Sequence, residues 1–553
     1  MEKTNGKKWN VLVAEPLGKE GVDILSAAAD VQLFEETSLT REELLARLPE
    51  MDAVLTRSAT KMDAEALDCT DRLKVVGRAG VGVDNVDLTE ASRRGVVVIN
   101  APTGNTLAAA EHTMALMLSL VRKVPQAHQS ILEGKWDRKK FVGRQLSGKR
   151  LLIIGLGRIG LQVAIRCRSF GMEVVAYDPF MSPKKAESLG ITLVTDLQGS
   201  AAMADVITLH LPITSETRNL FDEKMLRAVK PGAFIINCAR GGVVNEIACA
   251  EAVREGRLAG VAFDVFTKEP LSTDHPLLTN DIADRVVLTP HLGASTEEAQ
   301  TEVARIAVTN VLAALRGEPY EHAVNLPFME QQLNASQKSF LSLARKMGIL
   351  AAKLATVTGD GIHECKIMLR GPLLADEEDI PAPNRKRSYT IAFLKGLLEV
   401  SHGADVNYMI APLLAEEKGI SIEESTGESK TYKNLIEISA KTDKGIIQLK
   451  GSVTEEGRHR IVQVNDYWID FVPKGNLLIF QNHDRPGVIG KVGKLLGDAQ
   501  VNIANFALGR KEESGLALAI IQVDNDISEE LCETLAKDAD MIWATSVELE
   551  RES

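Results

Sequence analysis

LLIIGLGRIG, residues 151–160, is a short apolar run ending in glycines spaced GxGxxG, and the helical pattern LQVAIRCRSF follows it directly. The run reads as a buried strand, and the whole as strand, turn, helix. In such a unit Gly155 permits the tight turn, Gly157 lets the backbone approach a pyrophosphate, and Gly160 lets the helix pack closely on the strand. The helix start then offers N–H groups and a positive dipole to phosphate. The next apolar run, EVVAYD (173–178), ends in Asp178. That acid sits about 20 residues past the glycines, where it can bind both ribose hydroxyls of adenosine and would repel a 2′-phosphate. The motif therefore argues for NAD over NADP.

Outward from it, further apolar runs alternate with helical patterns: VITLH (206–210), AFIINC (233–238), GVAFDV (260–265) and VVLTP (286–290). Six such strands make a doubly wound dinucleotide fold. Upstream lies a second α/β series, with strands expected at 10–14, 53–56, 73–77 and 95–100 and a helix at 18–28. A long helix runs from Thr106 to about Val124 and is expected to end at Pro125. After His291, residues 296–316 form an amphipathic helix that reads as a return to the first series.

The bulk figures exclude several classes. The chain has 553 residues, 45% hydrophobic and 25% charged, which suits several folded domains. Its net charge of −12 argues against a nucleic-acid or anionic-membrane partner, and means that an anionic substrate needs a local basic pocket. The six cysteines show no CxxC and no disulfide-framework spacing, which fits a reducing compartment. Neither a signal peptide nor an apolar run of about 18 residues is visible. A cytoplasmic protein is expected; a processed organellar one would look the same.

Three ionisable residues follow strand ends of the dinucleotide-binding sheet: Arg240 after AFIINCA, Glu269 after GVAFDV and His291 after VVLTP. Ligands lie beyond these ends, so the three can converge on a nicotinamide. Oxidising an alcohol by hydride transfer needs a base for the hydroxyl proton, which suits His291. Glu269 would fix its ring and stabilise the imidazolium. Arg240 would grip a carboxylate.

Taken together, GRAGVGVDNVD (77–87), NAPTGNTLAAAEHTMALML (100–118), LLIIGLGRIG, NCARGGVVNE (237–246), AFDVFTKEP (262–270) and TPHLGAST (289–296) resemble the D-isomer-specific 2-hydroxyacid dehydrogenases. The resemblance covers nearly all of residues 9–320 and implies the same catalytic trio. It further implies a Rossmann-type NAD domain beside a flavodoxin-like substrate domain. The cofactor contacts it implies are Gly155, Gly157, Arg158, Ile159 and Gly160 at the pyrophosphate and Asp178 at the ribose. Cys238 and Asp264 would approach the nicotinamide end, and Val81, Ala239, Arg240, His291 and Gly293 complete the set. Substrate would meet the backbone of Gly80, Val81 and Gly82, with Arg57 and Arg78 at its phosphate and Arg240 and His291 at the reacting carbon. Lys139 or Lys140, in GKWDRKKF (134–141), would reach a partner subunit's site in a homodimer or homotetramer. Leu211 stands where relatives often carry Thr, so one cofactor contact is expected to be missing. No metal is implied.

The tail segment NHDRPGVIGKVGKLLGDAQVNIANFALGR (482–510) resembles an ACT domain, a βαββαβ module. By that likeness Asp484 and Asn502 would contact an effector, L-serine. VNYMIAPLLAEEKGI (406–420) and LKGLLE (394–399) resemble the family's α+β intervening domain. Arg385, Lys386 and Arg387 there are either an anion site or a solvated basic loop. The implied organisation is a substrate-binding domain of residues 1–101 and 292–320 and an NAD-binding domain of 102–291. An intervening domain of 321–474 and an ACT domain of 475–553 follow. The expected reaction is NAD-dependent oxidation of D-3-phosphoglycerate to 3-phosphohydroxypyruvate, the first step of L-serine biosynthesis. Two alternatives stay open: reduction of another 2-oxo acid (glyoxylate, hydroxypyruvate, 2-oxoglutarate), and a non-catalytic NADH-sensing partner protein.

Overall fold

The computed structural model describes residues 8–330, 333–358, 361–375, 388–403, 406–510 and 515–549. Arg385, Lys386 and Arg387 lie outside the described residues. The chain divides into two compact units. The first holds residues 1–61, 76–85 and 99–312, and the second holds 62–75, 86–98 and 313–553.

Strands β1 (Trp9–Val13), β2 (Val31–Glu35), β3 (Ala53–Thr56), β4 (Val75–Arg78) and β5 (Val97–Ile99) form a sheet in the order β2-β1-β3-β4-β5. This is the flavodoxin-like order. The second sheet comprises β6 (Arg150–Ile154), β7 (Glu173–Tyr177), β8 (Thr192–Leu193), β9 (Val206–Leu209), β10 (Ala233–Asn237), β11 (Leu258–Phe263) and β12 (Val286–Leu288). Its order, β12-β11-β10-β9-β6-β7-β8, is all parallel and reverses direction between β6 and β9. Ile154 pairs with Leu209, so these two strands end level and open a crevice at their carboxyl ends.

Both faces of this sheet are covered, which is why its strands read as continuous apolar runs. On one face the helix Thr106–Arg122 packs Ala110, Met114, Met117 and Val121 among Leu151, Ile153 and Ile236. That helix does not end at Pro125 as expected. It stops when Lys123 turns left-handed (φ 55°), and a new helix, Val124–Leu132, begins with Pro125 in its first turn. A proline there gives up an N–H that has no helical partner anyway. The helix Glu297–Arg316 does return to the first sheet, where Ala304 and Val311 stand close to Gly21 and Gly77.

In the second unit β13 (Ile362–Arg370), β14 (Ser421–Gly427), β15 (Leu435–Thr442), β16 (Gly445–Val453), β17 (His459–Val464) and β18 (Tyr467–Phe471) form a mixed sheet, β14-β13-β15-β16-β17-β18. Two helices, Ala335–Thr358 and Ser388–His402, cover it. Strands β19 (Gly475–His483), β20 (Ile503–Arg510), β21 (Leu516–Val523) and β22 (Met541–Leu549) form an antiparallel sheet, β20-β21-β19-β22. With helices Val488–Asp498 and Glu529–Ala536 this is βαββαβ. Its strands alternate faces. Leu477, Ile479, Leu518, Ile520, Val547 and Leu549 enter the same core as Leu343, Met347 and Leu449 of the six-stranded layer. Leu478, Phe480, Ala519 and Ile521 face the module's own helices.

Candidate active site

The glycine loop is built as a cradle. Gly155 has φ 89°, and a Cβ there would collide with the carbonyl oxygen of His210. At Gly160 a Cβ would strike the carbonyl of Gly155, which fixes how closely the helix Arg158–Ser169 approaches the strand. Gly157, the residue before that helix, makes no side-chain cap, and a Cβ on it would meet open space. Uncapped N–H groups facing open space are what a pyrophosphate requires. Asp178 at the end of β7 accepts the Leu156 N–H (2.8 Å) and the Phe180 N–H (2.9 Å), so it also ties the loop to the strand. His210 is held neutral by burial, its pKa pushed down to about 3. Leu211 packs against the apolar layer under the sheet.

Beyond β10, β11 and β12 the three sequence-derived residues do meet around one cavity of about 440 Å³. Arg240, Glu269 and His291 line it, with Arg57, Arg78 and the backbone of Gly80, Val81 and Gly82 opposite. His291 Nδ1 lies 2.8 Å from Glu269 Oε2, and Glu269 Oε1 accepts the Phe266 N–H at 3.0 Å. Arg240 stands on a turn pinned by buried Asn237, whose Nδ2 donates to the Arg240 carbonyl at 3.0 Å. Its Nε lies 3.5 Å from Asp84 Oδ2. Burial, and then the neighbouring Arg240 guanidinium, pull the Arg78 pKa down; the carboxylates of Asp84 and Glu15 oppose this and do not cancel it.

His291, Glu269 and Arg57 each ride a short loop, and for each a buried carboxylate gathers N–H groups of that loop. Asp264, 1% exposed, accepts from Leu292 N–H (2.7 Å), Gly293 N–H (2.8 Å) and Thr289 Oγ1 (2.5 Å), and lies 3.1 Å from His112 Nε2. Glu246 takes the Thr267 N–H (2.6 Å) and hydroxyl (2.7 Å), with His275 Nε2 at 3.2 Å. Glu15 does the same for residues 57–60. Sequence reasoning missed Glu15, Glu246, Asn237 and His112, as it did Ser58, Asp84, Asn85 and Asn105 in the cavity wall. Ser58 alone had a signal, its place beside Arg57.

Cys238 is buried against Asp264, and burial pushes its thiol up to about 12, so it stays a neutral thiol; it is not among the residues lining the cavity. His112, Cys238 and Asp264 bring a ring nitrogen, a thiol and a carboxylate within 4.8 Å of one another. The carboxylate there is already taken up by hydrogen-bond donors. Lys139 and Lys140 are exposed and are not among the residues lining the cavity.

A second cavity, of about 290 Å³, lies at the turn before the helix Val488–Asp498. Asp484, Arg485, Asn482 and Arg510 line it. Asn502 does not; it is exposed and donates to Asp524 at 2.6 Å. Within one chain the two expected effector contacts are therefore not brought together.

Comparison with known proteins gives a consistent set. Residues 114–293 match the model of the D-isomer specific 2-hydroxyacid dehydrogenase NAD binding domain. Residues 336–465 match the D-3-phosphoglycerate dehydrogenase intervening domain, and 476–540 the ACT domain. D-3-phosphoglycerate dehydrogenase of Archaeoglobus fulgidus is 42% identical over 98% of this chain and all of its own length. The enzyme of that name from Bacillus subtilis is 37% identical over the same shares. Among solved structures, the TT0316 protein of Thermus thermophilus superposes with a TM-score of 0.53 at 35% identity. It covers 57% of this chain and 99% of its own. D-lactate dehydrogenase from Aquifex aeolicus, complexed with NAD and lactic acid, gives 0.50 at 28% identity, over 56% and 96%.

Proposed function

Because this chain belongs to the D-isomer-specific 2-hydroxyacid dehydrogenase family, on the branch formed by D-3-phosphoglycerate dehydrogenases, we propose that it oxidises D-3-phosphoglycerate to 3-phosphohydroxypyruvate with NAD, the first step of L-serine biosynthesis. The observation that carries this reading is one cavity in which a His–Glu pair faces three arginines, on a protein whose net charge is −12. A substrate bearing both a carboxylate and a phosphate would find its attraction locally, at Arg57, Arg78 and Arg240.

In this reading Arg240 and the backbone of Gly80–Gly82 hold the substrate carboxylate, and Arg57 and Arg78 the phosphate. His291 Nε2, the nitrogen not engaged by Glu269, takes the proton from the C2 hydroxyl. Glu269 fixes the ring and stabilises the imidazolium. The residues that would hold NAD are the Gly155–Gly160 loop, Asp178 and the walls at Val81, Cys238, Ala239, Asp264 and Gly293; when bound it supplies the hydride acceptor. The domains follow the order read from the sequence, with 1–101 and 292–320 for substrate, 102–291 for NAD, 321–474 intervening and 475–553 regulatory. The regulatory ligand is L-serine, held by Asp484 and by Asn502 of a second module, in a homodimer or homotetramer. Lys139 or Lys140 adds positive charge at the partner subunit's site. The chain works in the cytoplasm, and among the described residues no helix is long and apolar enough to cross a membrane.

NADH formation from D-3-phosphoglycerate and NAD, with and without L-serine, tests both halves. Turnover that serine suppresses is the expected result. Serine-indifferent turnover removes the effector assignment. Inertness in both directions, with 3-phosphohydroxypyruvate and NADH as the reverse pair, overturns the substrate.

A further inference from the structure

Glu15 follows β1 and is 9% exposed, yet nothing in the chemistry above uses it. Its Oε1 accepts three hydrogen bonds: Thr56 Oγ1 at 2.7 Å, Thr60 N–H at 2.8 Å and Arg57 N–H at 2.9 Å. Oε2 accepts the Ala59 N–H at 3.2 Å. One carboxylate thus collects the backbone donors of residues 57, 59 and 60. The carbonyls of the same loop are held from the other side. Arg78 Nε donates to the Arg57 carbonyl at 3.2 Å, and Asn85 Nδ2 to the Thr60 carbonyl at 2.7 Å. Burial alone would raise the Glu15 pKa, but these hydrogen bonds outweigh it and hold the group ionised, below the usual carboxylate range.

Glu15 does not line the cavity; Arg57 and Ser58, on the loop it holds, do. An arginine on a free loop would reach an anion from many backbone positions and lose that freedom on binding. With N–H and carbonyl groups pinned on both sides, the Arg57 Cα has one place. We propose that Glu15 is a positioning residue for recognition of the substrate's phosphate end, acting through the backbone of residues 57–60 rather than through contact with substrate. The proposal rests on the phosphoglycerate reading above. It adds a specificity device outside the cavity's own lining, some 40 residues upstream of the loop it shapes.

The test is the ratio of kcat/KM for 3-phosphohydroxypyruvate to that for hydroxypyruvate, in the full chain, with NADH binding and melting temperature measured alongside. Wild type comes first: if it reduces neither acid, the substrate reading has failed, not this inference. In Glu15→Ala the KM for the phosphorylated acid is expected to rise about tenfold or more, the scale of a misplaced binding group. The ratio falls with it, while kcat and NADH binding stay near wild type. Glu15→Gln keeps an oxygen where Oε1 makes three of the four bonds, and is expected to restore most of the ratio. Should Glu15→Ala not fold, Thr56→Val removes one donor and is expected to lower the ratio by a smaller factor. An unchanged ratio in the variants that fold, an equal loss toward both acids, or Glu15→Gln as poor as Glu15→Ala would overturn the proposal.

Discussion

His291 has φ +57°, a left-handed value that costs a residue with a Cβ about 1–2 kcal/mol. Asp264 offsets that cost. Its backbone carbonyl accepts the His291 N–H at 2.9 Å, and its carboxylate takes the next two N–H groups. His291 is thus presented by a tight turn in a conformation that few residues with a Cβ adopt. Asn tolerates this conformation better than most residues. His291→Asn should therefore keep its melting temperature while kcat falls by about 10²–10⁴-fold, read by steady-state kinetics. Asp264 also carries an acid signature. Burial would raise its pKa, but hydrogen bonds from His112, Thr289, Leu292 and Gly293 hold it below the ordinary value. Its contribution to stability is present above the unfolded-state value near pH 4, about where free carboxylates titrate, and is lost as pH falls through the folded value. The melting-temperature gap between wild type and Asp264→Asn should therefore be wide at neutral pH and narrow on acidification. Arg240, Glu269 and His291 were legible because strand ends of a parallel sheet converge by topology. Asp264 was legible only as a neighbour of the site, since its bonds depend on how residues 289–293 fold back.

The loop from β11 to β12 carries Glu269, and what holds it comes from the start of another element. Glu246, the first residue of the helix Glu246–Arg254, sends its carboxylate to Thr267 and His275. Glu246→Ala would leave the Thr267 N–H without that acceptor, at about 1–3 kcal/mol. It should lower both the melting temperature and kcat, with the KM for NAD little changed. A loss of stability without loss of kcat would show that Glu269 holds its place unaided. The central strands were legible as apolar runs because both faces of their sheet are buried. β2 was not: VQLFE sits at a sheet edge with only Val31 fully buried, and its polar positions erase the pattern. The two-residue β8, also at an edge, is too short to leave one. Pro125 misled for a local reason, since a proline that closes one helix and a proline that opens the next look the same without the φ of Lys123.

Across the second unit, the six-stranded layer and the βαββαβ tail are continuous in their packing. Ile479, 1% exposed, belongs to one core with Met347 and Leu449. Ile479→Ala should cost about 2–5 kcal/mol, the range for an aliphatic side chain truncated in a core. Calorimetry should show residues of both layers melting together at a lower temperature, not a tail that unfolds first. A separate early transition would mean that the shared core contributes little. This continuity could not be read from the sequence. The tail's strands alternate between two apolar faces, so each strand reads as uniformly apolar, and nothing local says which face meets which partner. The change from one matched family to the next, between residues 465 and 476, is therefore a seam that the folded matter does not respect. A lineage trading its ACT tail for another's would inherit an exposed oily face on both the donor and the host. The piece that can be exchanged is the pair, whereas the turn at Asp484–Gly487, which borders a cavity of its own, can be revised with that shared core left intact.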